Sequence, residues 1–352
     1  MKVVHSPSFF VMTESQEKEY NKWLSLNEEF KDEEKFQQFL LKLILADCPV
    51  ILSIKHLAQI IDVDWEMLKT MVNHPSSFYY KFAIPKRSGG YRQIASPYPE
   101  MLRVQRWIND NILSKIEVHE STRGFVKGMS ITDNAAPHLG HAVVLKTDIQ
   151  DFFPSVGINR VRMIFKLLGY HKKVAYALAS LCCLNGVLPQ GAATSPAVSN
   201  IILKRLDFRI NGLASKFGLT YTRYADDLTL SGGYIPARLL KYISDIVTDE
   251  GFQLNEAKTK IIHSGHQQII TGVSIASGEM KLPRKTKREI RSNVHHVLKY
   301  GLIHHLNHIG EFDPIYLERL MGKLYFWKSI EPENKFVTDY IPRIKDLIAT
   351  PI

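Results

Sequence analysis

Asp226 and Asp227 stand side by side in TRYADDLTLS (222–231), a run that otherwise alternates apolar and polar residues like a strand. Two like charges at one point of a sheet repel each other, and both resist desolvation. One reading is a turn whose aspartates make Asx hydrogen bonds, a frequent fate of Asp between strands. The other is a divalent cation, which turns repulsion between carboxylates into a reason for clustering them; hard Mg²⁺ prefers oxygen ligands. Such a site wants a third carboxylate. VVLKTDIQDFFPSV offers Asp148 at the end of an apolar strand pattern, where α/β sheets tend to place their ligands. Three carboxylates on neighbouring strand ends suit a two-metal centre with ions roughly 3.5–4 Å apart, one activating a nucleophile and one holding a leaving oxygen. Phosphoryl transfer is the reaction that fits. Asp151, three residues on, either caps the next segment or lies near a triphosphate.

The elements that must position these groups are legible along the chain. HAVVLKTDI (141–149) reads as a strand, helical patterns come next near 158–183 and 195–217, LTYTRYADDLTLSG reads as a hairpin with the paired aspartates at its tip, and PARLLKYISDIVTDEG (236–251) reads as a helix. That order predicts an α+β fold with a split βαβ layout, helices lying on one face of an antiparallel sheet. Upstream, about residues 14–72 carry helical periodicity, with Ser53 as a candidate N-cap. FYYKFAIPKRSGGYRQIASP (78–97) alternates across an RSGG turn as a hairpin does, and EMLRVQRWINDNIL continues as a helix. The tail from 283 is mostly helical, broken by Gly301, Gly310 and Pro314.

The 352 residues are 45% hydrophobic and 10% aromatic, which excludes global disorder. Apolar runs such as FLLKLILA are too short to span a membrane, and the N-terminal stretch has no small-residue cleavage site, so neither a membrane span nor a signal peptide is expected. The expected address is the cytoplasm. Cys48, Cys182 and Cys183 form neither a disulfide framework nor a metal-binding spacing and are expected to be buried thiols. The net charge is +10, and residues 281–300 hold seven Lys or Arg against one acidic residue. A basic stretch is either a solvated helix face or a contact for a phosphate backbone, where released counterions add salt-dependent affinity. The sign of the charge points towards nucleic acid.

TDIQDFFPSV, LPQGAATSPAVSN and YADDLTLS, in this order and at this spacing, resemble motifs A, B and C of reverse transcriptases. PKRSGGYRQI is similar to the fingers hairpin of that family, LNEAKTKII to motif D and IITGVSI to the primer-grip hairpin. Within the family the match is closer to bacterial retron enzymes. Asn134, Ala135 and His138 stand in the spacing of the Asn-Ala-x-x-His signature, and Ile270, Thr271 and Gly272 resemble the Val-Thr-Gly signature with Ile for Val, a volume-tolerant change. The resemblance implies a right-hand polymerase: a helical N-terminal region (1–77), fingers with the Asn-Ala-x-x-His region (78–140), a palm with catalytic centre and primer grip (141–280) and a basic helical thumb that binds RNA (281–352).

By the same resemblance, Asp148, Asp226 and Asp227 are catalytic and bind two Mg²⁺ ions. Arg92 and Lys86 reach the triphosphate, as a guanidinium suits phosphate oxygens; Lys86 otherwise faces water. Phe153 sits where these enzymes keep a steric gate against the ribose 2′-OH, its alternative being a core aromatic, and neighbouring Phe152 is expected to be the buried one. Gln190 contacts the incoming nucleotide, and Gly191 permits close backbone approach. Lys258 corresponds to a lysine that protonates departing pyrophosphate, its alternative being a solvated loop lysine. Asn134 and His138 are given a role in RNA handling or local architecture, Lys285, Arg288 and Arg291 are RNA contacts, and Thr271 and Gly272 belong to the primer grip.

As to activity, the resemblance implies a reverse transcriptase that copies a structured noncoding RNA into single-stranded DNA. Its synthesis would be primed from a guanosine 2′-OH, giving branched RNA-linked DNA (msDNA), in antiphage defence. The implied partners are the cognate RNA and its DNA product, dNTPs, an effector protein and a host ribonuclease H. Rival readings are another bacterial reverse transcriptase, of group II intron or defence-associated kind, and a non-catalytic RNA-binding protein that kept the polymerase shape.

Overall fold

The computed structural model describes residues 33–86 and 89–349. The start of the helical lead-in, the acidic stretch before residue 33, and Arg87 and Ser88 of the RSGG turn lie outside the described residues.

Along the chain run α1 Glu33–Leu45, α2 Ile54–Ile61, α3 Trp65–Asn73, β1 Tyr79–Pro85, β2 Tyr91–Pro97, α4 Pro99–Asn111, α5 Ile131–Ala135, β3 Val143–Asp148, α6 Phe152–Ser155, α7 Ile158–Leu168, α8 Lys172–Cys182, α9 Ser195–Lys216, β4 Thr220–Tyr224, β5 Asp227–Gly232, α10 Leu239–Asp249, β6 Lys260–His263, β7 Ile269–Ile270, β8 Val273–Ser274, α11 Arg284–Tyr300, α12 Leu302–Ile309, α13 Tyr316–Ile330 and α14 Lys335–Ala349. Of the described residues, 33–119 with 151–205 form one compact unit, and 120–150 with 206–349 form the other.

The first unit is helical with one hairpin. Ser53 caps α2 as expected, its hydroxyl accepting from the His56 amide at 3.0 Å, and Asp64 caps α3 through the Met67 amide at 3.0 Å. These caps satisfy amides that have no partner within the helix. Helix α8 is buried along almost its whole length, as its run of Ala, Leu and Val requires. Cys182 and Cys183 lie in this core and Cys48 is buried too; burial pushes the Cys182 thiol up to about 12, so it stays protonated and inert. Strands β1 and β2 pair antiparallel from Tyr79 opposite Pro97 to Pro85 opposite Tyr91.

The second unit carries a four-stranded antiparallel sheet in the order β4-β5-β3-β6. Strand β5 lies antiparallel between β3 and β4, so those two run parallel without touching. This is the expected split βαβ arrangement. Val144, Leu145, Leu228 and Leu230 are completely buried, which explains the near-continuous apolar runs of β3 and β5. The free edge of β4 is covered: Thr122 pairs with Arg223, the Arg223 amide donates to Ser121 O at 2.8 Å, and the Arg123 amide donates to Arg223 O at 2.8 Å. Exposed Lys260 and His263 guard the other edge on β6. One core runs from Ala135 of α5 and Val144 of β3 through the β7-β8 hairpin to α11, α13 and α14, with Trp327 fully buried in it. Ile290, Val294 and Val297 face this core from one side of α11; each contributes about 1.5–3 kcal/mol by burial. Among the described residues no helix is long and apolar enough to cross a membrane.

Candidate functional site

The sheet gathers the three carboxylates at one end. Strand β3 finishes on Asp148 and β5 begins on Asp227, and the two residues face each other directly in register. Tyr224 pairs with Asp227, so Ala225 and Asp226 alone make the turn between β4 and β5. Asp226 is tied to the end of β3 because its carbonyl accepts from the Ile149 amide at 3.1 Å. Burial first, then the charges of Asp148 and Asp227, push the Asp226 carboxyl up to about 6. Burial also raises Asp227, with Lys146 opposing the shift and Asp148 adding to it. Asp148 is 5% exposed, and its Oδ2 accepts from Lys258 Nζ at 2.8 Å.

These side chains fit a divalent cation by chemistry: all are hard oxygen donors, partly desolvated and mutually repelling. No group of three His, Cys, Asp or Glu side chains among the described residues is arranged as a ready ligand cage. The Lys258 ammonium supplies positive charge on Asp148 instead. Lys258 is therefore neither a free loop lysine nor far from the chemistry, although its side chain remains 59% exposed.

The nucleotide-contact candidates other than Lys258 belong to the first unit. Arg92 lies exposed on β2, opposite Ile84, and Lys86 is exposed just beyond β1, its amide closing the hairpin onto Gly90 O at 2.9 Å. Gln190 precedes α9, and its carbonyl accepts from the Ala95 amide of β2 at 2.8 Å. Gly191 has φ +117°, and a Cβ there would lie 2.6 Å from Ala95 O, so the backbone of β2 excludes a side chain at this position. Phe152 is buried and Phe153 half-buried, their rings in edge contact at 5.4 Å. The capping alternative for Asp151 needs correction. The residue occupies the cap position of α6 with φ 42°, but its side chain makes no capping bond and is exposed; the Ser155 amide bonds its carbonyl instead.

Of the two roles given to Asn134 and His138, RNA handling or local architecture, their contacts are architectural. The two residues are 1% and 0% exposed, so neither presents a surface to RNA in this structure. His138 Nδ1 lies 2.6 Å from Ser231 Oγ and Nε2 lies 2.8 Å from Thr222 Oγ1, which joins the segment after α5 to β4 and β5. Asn134 Nδ2 reaches Thr271 Oγ1 at 3.4 Å, and that hydroxyl donates to Ile131 O at 3.2 Å. Thr271 and Gly272 have φ 46° and 87° and form the two-residue turn of β7-β8. A β-branched residue is strained there, and these contacts hold it. The Asn-Ala-x-x-His and Ile-Thr-Gly stretches thus meet as architecture.

Burial, then His141 and Arg123, lower His138 to about 3. The unfolded imidazole takes up a proton near pH 6.5 and the folded one only near 3, so stability is full above pH 6.5 and falls as pH drops towards 3. Urea unfolding is expected to show a loss of roughly 2 kcal/mol between pH 7 and pH 5 from this residue. His138→Gln should be less stable at pH 7 yet lose less on acidification. An equal pH slope in both proteins would remove the assignment.

On α11, Lys285 and Arg288 are exposed, as an RNA contact requires. Arg291 is exposed as well, but its guanidinium lies over Trp327 at 5.4 Å and Phe336 at 5.3 Å. The guanidinium is therefore held against two ring faces in a residue that remains exposed.

Two buried groups are not foreshadowed by the sequence pattern. Gln105 Nε2 bonds Tyr79 OH at 2.6 Å and Leu181 O at 2.8 Å, while its Oε1 accepts from the Ala193 amide at 3.1 Å, fixing the segment that leads into α9. Arg223 and Asp207 form an ion pair beneath the Asp226 turn, both 0% exposed. A charged residue in strand alternation reads as solvent-facing, and only the partners brought by α9 and by Thr122 reveal otherwise.

Residues 84–289 match the family described as reverse transcriptase (RNA-dependent DNA polymerase). The chain is 35% identical over 254 residues to the retron Ec86 reverse transcriptase of Escherichia coli, covering 71% of this chain and 79% of that one. It is 42% identical over 276 residues to the retron Mx65 reverse transcriptase of Myxococcus xanthus, covering 73% of this chain and 62% of that one. With the retron Ec83 reverse transcriptase of Escherichia coli it shares 30% identity over 308 residues, 80% of this chain and 94% of that one. The α+β fold, the strand-end carboxylates and these relatives agree: the chain belongs to the bacterial retron reverse transcriptases, a family of RNA-directed DNA polymerases.

Proposed function

We propose that the chain copies part of a structured noncoding RNA into single-stranded DNA, primed from the 2′-OH of a guanosine in that RNA, so that the product is branched RNA-linked DNA. In this reading residues 78–140 are fingers, 141–280 palm and 281–352 thumb. The observation that supports its nucleotide-addition chemistry is the meeting of Asp148, Asp226 and Asp227 at one sheet end, where their repulsion calls for cations; the retron relatives support the choice of template. Two Mg²⁺ ions, when bound, supply the Lewis acidity that activates the primer hydroxyl and steadies the leaving pyrophosphate.

The three aspartates hold those ions. Lys258, which pairs with Asp148, gives a proton to pyrophosphate. Arg92 and Lys86 bind the triphosphate, Gln190 contacts the nucleotide and Phe153 discriminates against a ribose 2′-OH. Lys285, Arg288 and Arg291 track the phosphate backbone of the RNA, with affinity falling as salt rises, and Thr271 and Gly272 steady the primer end. The proposed setting is the cytoplasm, with an effector protein in antiphage defence and a host ribonuclease H removing the template.

The test of priming is to let the protein extend its co-purified RNA with labelled dNTPs and to digest the product with ribonuclease. A branched ribonucleotide left on the DNA 5′ end is expected. A free 5′ end contradicts 2′-OH priming and leaves the polymerase reading standing.

A further inference from the structure

The turn that presents Asp226 is held from beneath by a closed polar network. The Arg223 guanidinium makes a two-pronged contact with Asp207, Nε to Oδ1 at 2.8 Å and Nη2 to Oδ2 at 2.7 Å. Its Nη1 reaches the Ala225 carbonyl at 2.8 Å, and Nη2 also bonds Thr122 Oγ1 at 3.0 Å. Asp207 is satisfied further by Tyr221 OH at 2.7 Å and by Thr122 Oγ1 at 3.0 Å. The held carbonyl belongs to a left-handed residue, Ala225 with φ 57°, a conformation an L side chain adopts at a cost. Gly124 closes the other side: a Cβ there would lie 2.5 Å from the Ala225 amide nitrogen.

Stability alone does not account for this arrangement. A buried ion pair is often no more stabilising than apolar residues of the same volume, because desolvation offsets the attraction. An arginine fork, however, spends two donors on a carboxylate and still has another to fix a carbonyl two residues along. Lysine cannot span both partners in one plane.

We propose that Arg223, anchored by Asp207 and Thr122, is the positioning residue that locks the Ala225 turn and so sets Asp226 and Asp227 in register with Asp148. This rests on the reading of those aspartates as ion ligands. None of the network's side chains touches the reacting atoms; the effect passes through the turn, and misplacing a reacting group by 1 Å costs on the order of 10²-fold in rate.

The test compares wild type, Arg223→Lys, Thr122→Val and Asp226→Asn on the co-purified RNA. It reads kcat and KM for dNTP, Mn²⁺ binding to the protein by the electron paramagnetic resonance of free Mn²⁺, and the urea midpoint. Arg223→Lys is expected to lose about 100-fold in kcat with little change in KM, and to bind Mn²⁺ more weakly. A purely structural role would lower the midpoint and leave kcat and Mn²⁺ affinity of the folded protein unchanged, which overturns the proposal. If Arg223→Lys does not fold, Thr122→Val decides. A reduced kcat and weaker Mn²⁺ binding at a near-wild-type midpoint supports positioning, and wild-type values of both refute it. Should Asp226→Asn keep full rate and Mn²⁺ binding, the ion-ligand reading itself fails. If Asp226→Asn loses both while Arg223→Lys matches wild type, only the positioning role fails.

Discussion

Asp226→Asn is expected to lose nucleotide addition by on the order of 10³-fold or more while keeping its RNA. Burial and two negative neighbours already hold the Asp226 carboxyl up to about 6, so at pH 7.5 its ionised form strains the metal-free fold. A carboxyl raised in the folded state gives stability below its unfolded value and loses it as pH rises through about 6. Asparagine removes the charge at nearly constant volume. Metal-free Asp226→Asn should therefore be more stable than wild type at pH 7.5, by roughly 1–3 kcal/mol in urea unfolding. With Mg²⁺ added, wild type should gain stability by mass action and the variant much less. A variant that binds RNA as poorly as it extends would indicate general misfolding and count against the metal role.

Gly191→Ala should be strongly destabilising. The residue has φ +117°, and an added Cβ would meet Ala95 O at 2.6 Å and Ile94 Cγ2 at 3.0 Å. Ala95 cannot simply withdraw, because its amide donates to Gln190 O at 2.8 Å. Backbone strain and overpacking act together, with an expected loss of about 3 kcal/mol or more. Gln190 should be displaced with it, so KM for dNTP is expected to rise in whatever fraction folds. Gly212→Ala is the contrast. It lies within α9 with open space around its Cβ position and should stabilise by about 0.5–1 kcal/mol. Equal midpoints for the two alanine variants would show that the close approach at Gly191 is not a constraint.

The frame of the site was readable because it rests on local pattern. Alternation and apolar runs located β3, β4 and β5, and the order strand, helices, hairpin implied a sheet that brings Asp148 opposite Asp227. Ser53 and the buried cysteines were equally local. The rest depends on partners distant in sequence. Arg223 looks solvent-facing in TYTRY until α9 delivers Asp207 and the Ser121–Gly124 segment covers the strand edge. Asn134 and His138 sit in a polar stretch that reads as surface, yet the hydroxyls of Thr222, Ser231 and Thr271 give them interior partners. Lys258 was singled out as a proton donor, but its pairing with Asp148 arises from how the chain after α10 returns to β3, which no spacing encodes. Arg291 counts as one more positive charge in sequence, and only packing places it across Trp327 and Phe336.

Extension of the co-purified RNA by labelled dNTPs tests the central claim most directly. The purified protein, with its bound nucleic acid, is incubated with Mg²⁺ or with excess chelator, and the product is challenged with deoxyribonuclease and with alkali. The expected result is a discrete alkali-resistant DNA made from the bound RNA, absent without the divalent ion and absent from Asp226→Asn. No DNA synthesis on that RNA, together with none on generic primed templates, would contradict it.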